Sequence, residues 1–223
     1  MDCSGEERAP AQPVSRGTFL KRAGVAGLAV TIPAAAVAPA GLAESEKVQL
    51  DQMTALRPFQ ERTLGAFVER LIPSDSTGPG AKEARVVRYI DRSLTGDLYA
   101  FKAAYDLALI ALDAYSVKKY GADFAELPAD KQDAILTDMD KNTATGFVPN
   151  AKAVFEMIRT HAVQGMFGDP AHGGNENFVG WKLVRFPGPR LVIGAADQRL
   201  DVVPKSNLKS TYSIPLFKPS ARK

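Results

Sequence analysis

The sequence predicts an all-α protein: a compact body of about five helices followed by a long irregular C-terminal extension. Three observations carry this. From about Thr54 to Gly165, apolar residues recur at three- and four-residue spacing, the period of a helix with one buried face. Short clusters of Gly, Pro, Asn and Ser interrupt those stripes where helix connections belong. No alternating run is long enough to build a sheet; Leu191-Val192-Ile193 is the best strand candidate, and it is short.

The first helix places Phe59, Leu64, Phe67, Val68 and Leu71 on one face and stops before Pro73, which cannot continue the backbone hydrogen bonds. Residues 74–80 form a turn-rich loop. The second helix runs from Ala81 to about Leu94 around Val86, Val87, Tyr89 and Ile90, and Gly96-Asp97 ends it. The third is the clearest. Leu98, Phe101, Tyr105, Ala108, Leu109, Leu112 and Tyr115 make its stripe, and Gly121 closes it. Leu127-Pro128 opens the fourth, with proline near the first turn where its missing N–H costs least, and residues 142–146 close it. The fifth spans Asn150 to Gly165 and buries Val154, Phe155, Ile158 and Ala162.

After Gly165 the helical period fades. Long connections without structure of their own are uncommon and usually functional or disordered. Yet Tyr212, Ile214, Leu216 and Phe217 punctuate the tail. A solvated tail has no need of them, whereas a tail lying along a partner does. The organisation expected is therefore 1–43 as an export signal, 44–166 as the helical domain, and 167–223 as an irregular contact segment and tail.

The N-terminal assignment follows from three parts. Ser15-Arg-Gly-Thr-Phe-Leu-Lys-Arg22 is polar and basic, Ala23–Val30 begins a mildly apolar stretch, and Gly41-Leu42-Ala43 suits a processing site. Thr31, Pro33 and Pro39 break the run before it reaches the roughly 20 apolar residues of a membrane span. The basic part resembles the twin-arginine export signal through Arg16, Phe19 and Leu20; Gly17 stands at the second arginine's position. The destination this implies is the bacterial periplasm, with any membrane association coming through a complex.

Composition excludes several functions. The net charge is +3 with scattered basic residues, so no nucleic-acid stripe forms. Cys3 is the only cysteine. Removal of the signal would leave no thiol for a disulfide, an iron–sulfur cluster or covalent haem. No glycine loop with strand–loop–helix order exists for a nucleotide. Serines lack a histidine base at recognisable spacing, and Asp138 and Asp140 read as a solvated helix surface. No catalytic, cofactor-binding or metal residue is assigned in this chain.

What remains is the late stretch that holds both histidines, His161 and His172, and the only tryptophan, Trp181. His161, on the fifth helix beside the apolar face, reads as a structural histidine. Asp169-Pro170 starts a turn, and Gly173-Gly174 permits a chain reversal at positive φ. Trp181 reads as an anchor of the irregular segment. Residues Phe167, Asp169, His172, Asn175 and Trp181, with Tyr212, Leu216 and Phe217 of the tail, are the expected partner interface.

The phrase Gly165, Phe167, Asp169, Pro170, His172, Gly173, Gly174, Asn175, then Gly180, Trp181, Pro187 and Gly188, resembles the late motif of the gluconate 2-dehydrogenase subunit 3 family. His172 stands where that family more often has tyrosine. Phe67-Val-Glu-Arg-Leu-Ile-Pro-Ser-Asp75 is similar to the family's first helix. The resemblance implies a non-catalytic small subunit without its own cofactor. Its expected partners are a flavoprotein large subunit of the glucose–methanol–choline oxidoreductase type, carrying FAD, and a multihaem cytochrome c subunit. It implies that the small subunit stabilises the large one and helps its export, with substrate set by the large subunit. The alternative class is a free-standing periplasmic enzyme or small-ligand-binding protein using the His161/His172 region.

Overall fold

The computed structural model describes residues 53–199, 201–203 and 205–218. Six α-helices stand among the described residues, with no β-strand. They are α1 (Pro58–Leu71), α2 (Val86–Leu94), α3 (Lys102–Tyr120), α4 (Ala129–Asp140), α5 (Ala151–Phe167) and α6 (Val179–Leu183). No described helix is long and apolar enough to cross a membrane. Arg16, Phe19 and Leu20 of the export signal lie outside the described residues.

α1 is the hub, packing against α2, α3, α4 and α5. Its inward face, Leu64, Phe67 and Val68, is closed to solvent. Phe67 sits between Phe124 and Phe155, with ring centroids 6.3 and 5.9 Å apart. Ile90 and Leu94 from α2, Tyr105, Leu109 and Leu112 from α3, Ile135 and Met139 from α4, and Ile158 and Met166 from α5 complete the core. Removing such side chains from water contributes roughly 1.5–3 kcal/mol each, which makes apolar burial the main force holding the body.

Polar groups set the helix ends. Pro58 begins α1, and the Arg57 N–H donates to Gln60 Oε1 at 2.9 Å. The Asn150 side chain caps α5 by accepting from the Ala153 N–H at 2.9 Å. Gly121 ends α3 in the left-handed region, φ 82°. Asp91 of α2, almost fully buried, accepts from the N–H groups of Thr54, Ala55 and Leu56 and from the Thr54 hydroxyl, all at 2.8–2.9 Å. That one carboxylate ties the chain before α1 to α2.

Several expectations need correction. α2 starts at Val86, because residues 81–85 turn back on themselves. Ala81 N–H bonds to Ile72 O at 2.8 Å and Arg85 takes a left-handed conformation, φ 54°. Phe101 belongs to a separate 3-10 turn, Tyr99–Phe101, and is 41% exposed. Asp138 is no bare surface charge: it accepts from the Tyr115 hydroxyl at 2.8 Å and pairs with Lys119, tying α3 to α4. Leu191-Val192-Ile193 forms no strand, for no described segment pairs with it, and all three side chains are exposed.

Candidate functional site

The late motif begins where α5 ends, and Asn175 is its keystone. Fully buried, it adopts a left-handed conformation, φ 45° and ψ 42°, which asparagine tolerates better than most residues. Its N–H donates to Gly165 O at 2.8 Å, and its Nδ2 donates to Gly168 O at 2.8 Å. Its Oδ1 accepts from the Gly180 N–H at 2.9 Å. One side chain thus joins the last turn of α5 to the first turn of α6.

The glycines permit that joint by close approach. A Cβ on Gly174 would lie 2.2 Å from Gly165 O, and one on Gly180 would lie 1.9 Å from Met166 O. Both obstacles are backbone atoms that cannot step aside, so only glycine fits. This refines the expected reversal: positive φ falls on Gly173, φ 99°, while Gly174 is required for room.

Trp181, 6% exposed, donates its indole N–H to Phe167 O at 2.7 Å. Its ring meets Phe178 at 5.4 Å and Phe186 edge-on at 5.0 Å. A tryptophan can be buried cheaply only when its N–H finds an acceptor, and the free carbonyl at the end of α5 supplies one.

Asp169 works in two directions. It caps its own turn, accepting from the Ala171 N–H at 3.0 Å, and it accepts from the Thr211 N–H of the tail at 2.6 Å. Burial acts to raise its pKa. Hydrogen bonds from Ala171, Ser210 and Thr211 outweigh that and hold the carboxyl below its ordinary value. Next to this clasp, the exposed His172 ring meets Tyr212 edge-on at 5.5 Å. Further along, Asn207 N–H bonds to Pro187 O at 2.6 Å. The tail is therefore folded back over the motif. A cavity of about 460 Å³ lies in the crook, lined by Phe167, Asp169, Trp181, Phe186 and Thr211. A larger groove of about 600 Å³ runs between α1 and α2 past Gly65 and Val87, with none of the motif's residues in its walls.

His161 stands apart from this cluster. It is buried, with Nδ1 3.0 Å from the Tyr105 hydroxyl and its ring stacked on Tyr105 and edge-on to Phe101. Burial lowers its pKa, favouring the neutral ring. The two histidines thus have different neighbours, and among the described residues no three His, Cys, Asp or Glu side chains gather as a metal site.

Of the eight residues expected at the interface, Asn175 and Trp181 are buried, with their hydrogen-bonding groups engaged inside the chain. Phe167 and Asp169 are half-buried, and His172, Tyr212, Leu216 and Phe217 are exposed. Sequence reading did not find Thr211, Asn207 or Arg92, whose side chain lies against Gly173. Their partners are distant in sequence, and none belongs to a local pattern. The Ser210-Thr211 pair was the only available signal, as residues that cap turns.

The family model described as gluconate 2-dehydrogenase subunit 3 matches residues 58–188, more than half of the chain. No curated protein and no solved structure matches.

Proposed function

The chain belongs to the gluconate 2-dehydrogenase subunit 3 family, and from that premise we propose that it is the non-catalytic small subunit of a periplasmic dehydrogenase complex. The partner is a glucose–methanol–choline-type flavoprotein that carries FAD and oxidises a sugar or sugar acid. A multihaem cytochrome c subunit accepts the electrons. This chain stabilises the flavoprotein and supplies the export signal at residues 15–43, with Arg16, Phe19 and Leu20 as its recognised positions.

One observation carries the reading. The polar atoms of the motif, on Asn175, Trp181 and Asp169, hold the chain's own backbone in place. What they position is a rim of exposed side chains, His172, Tyr212, Leu216 and Phe217. A rigid joint behind an exposed aromatic and aliphatic rim suits protein contact, where such residues often dominate affinity.

The test is expression of the flavoprotein with and without this chain. Without it, flavin-loaded large subunit should fail to accumulate in the periplasm. His172→Ala should lower assembly while leaving turnover per assembled complex unchanged. Isolation of this chain alone as a yellow protein with dye-reducing activity would overturn the proposal. So would loss of turnover in a fully assembled, FAD-loaded His172→Ala complex.

A further inference from the structure

We infer that the outward face of α3 is a second docking surface for the flavoprotein subunit, separate from the His172 rim. This rests on the subunit reading above. The inner face of α3, with Tyr105, Ala108, Leu109 and Leu112, is buried in the core. A helix with one face in the core ordinarily carries polar and charged residues on the other. α3 does not. Ala103, Leu107, Ile110, Ala114 and Val117 follow one another at spacings of four, three, four and three, and all are exposed. Leu107 is 58% exposed, and Ile110 and Val117 are each 48% exposed. Before the N-terminal end, Tyr99 is 72% exposed, while Phe101 packs edge-on against His161.

The carboxylates beside this seam are turned to internal partners. Asp106 takes Lys102 and Gln60. Asp113 takes the Thr63 hydroxyl and the Phe124 N–H. The five seam positions carry no charge, and Lys118 and Lys119 border them at one end, as an interface sets an uncharged centre within a polar rim. Large contiguous apolar patches on a soluble surface mark interaction sites.

Its chemistry and length indicate what covers it. The occupant's surface is apolar and uncharged, and alanines at two of five seam positions let a helix or loop approach the α3 backbone closely. A second copy of this chain fits poorly. From Ala103 to Val117 the seam is about 21 Å long at 1.5 Å per residue, two heptads where a self-standing coiled coil needs roughly three or four. A membrane surface fits poorly as well, because an interfacial helix sets a basic face against its apolar one, and the opposite face of α3 is core. A large subunit can cover the seam and the His172 rim together. α2 packs on both the Tyr99–Phe101 turn and the Pro170–His172 turn, so the two surfaces adjoin through one helix.

The experiment replaces the chain's single cysteine. In a Cys3→Ser background, Leu107→Cys gives one thiol on the seam. Maleimide labelling is compared between the isolated chain and the complex purified with its flavoprotein. Labelling should slow roughly tenfold or more in the complex, as expected for a site well inside an interface. In parallel, the Leu107→Glu/Ile110→Lys variant should keep its helical spectrum and melting temperature yet carry far less flavoprotein through purification. Equal labelling, or undiminished copurification of the double variant, would overturn the inference while leaving the subunit reading intact. A dimer of the isolated chain that Leu107→Glu dissociates would assign the seam to a second copy and overturn it too. If the wild-type chain brings down no flavoprotein, the subunit reading itself fails.

Discussion

The two halves of the chain after α5 both lack long helices but have opposite environments. Residues 168–188 are built into the body, with Gly173, Gly174, Asn175, Gly180, Trp181 and Gly188 all buried. Residues 189–218 have no buried residue whose environment is described, and they reach the body through a few clasps: Thr211 to Asp169, Asn207 to Pro187, and Tyr212 against His172. The family match ends at residue 188, where burial ends. Glycine and proline density therefore does not by itself mean a surface loop. Residues 168–188 hold five glycines, of which Gly174 and Gly180 bring two backbones together, whereas residues 189–218 hold one, Gly194.

The sharpest way to break this comparison is to remove the keystone. Asn175→Ala leaves the buried Gly180 N–H without a partner, at roughly 1–3 kcal/mol, and frees the half-buried Gly168 O as well. It also puts alanine in a left-handed conformation at a further 1–2 kcal/mol or so. Thermal melts should show a fall of about 10 °C. A melt close to wild type would mean that the 168–188 segment is not held as described. Trp181→Phe keeps a ring but loses the bond to Phe167 O, so a smaller loss of about 1 kcal/mol is expected. Urea titration followed by circular dichroism measures it, since the only tryptophan is removed.

The body supplies a contrast, because there burial governs even a titrating group. His161 has its pKa lowered by burial. Protons then bind the unfolded chain more readily than the folded one. Its contribution is fully present above the unfolded value near 6.5 and is lost as pH falls below that toward the depressed folded value. Melting temperature should fall between pH 7.5 and pH 5.5, and His161→Gln should flatten that part of the profile. An unchanged slope in the variant would remove His161 as the cause.

The smallest effect on folding should come from the tail. A chain ending at Val203 loses the Thr211 and Asn207 clasps but none of the buried residues among those described. Its melt should shift by no more than about 1 kcal/mol in stability, while yield of the flavoprotein complex falls. A large drop in the melt would show that the tail is part of the body. Asp169 gives a finer probe. Its depressed pKa means that the Thr211 clasp is present above the usual carboxylate value and is lost as pH falls through the lowered one. Asp169→Asn should increase proteolysis at Lys205 and Lys209 at neutral pH.

The sequence by itself determined the helical body. Stripes such as Tyr105, Ala108, Leu109 and Leu112 are local, repeat with the helix period, and report burial directly. It also pointed to the late motif and to the structural part played by His161 and Trp181. α6 escaped notice because five residues are too few to display a period; Asn175, bonded to the Gly180 N–H, fixes its start. The division between buried Asn175 and exposed His172, three residues apart, was likewise decided only in three dimensions. The apolar outer face of α3, with Leu107, Ile110 and Val117, also became visible only there, beside the Tyr105 stripe that the sequence had placed in the core. Periodicity states that a face is apolar. Which apolar face meets the core depends on contacts between segments far apart in the chain, and those exist only once the tertiary structure has formed.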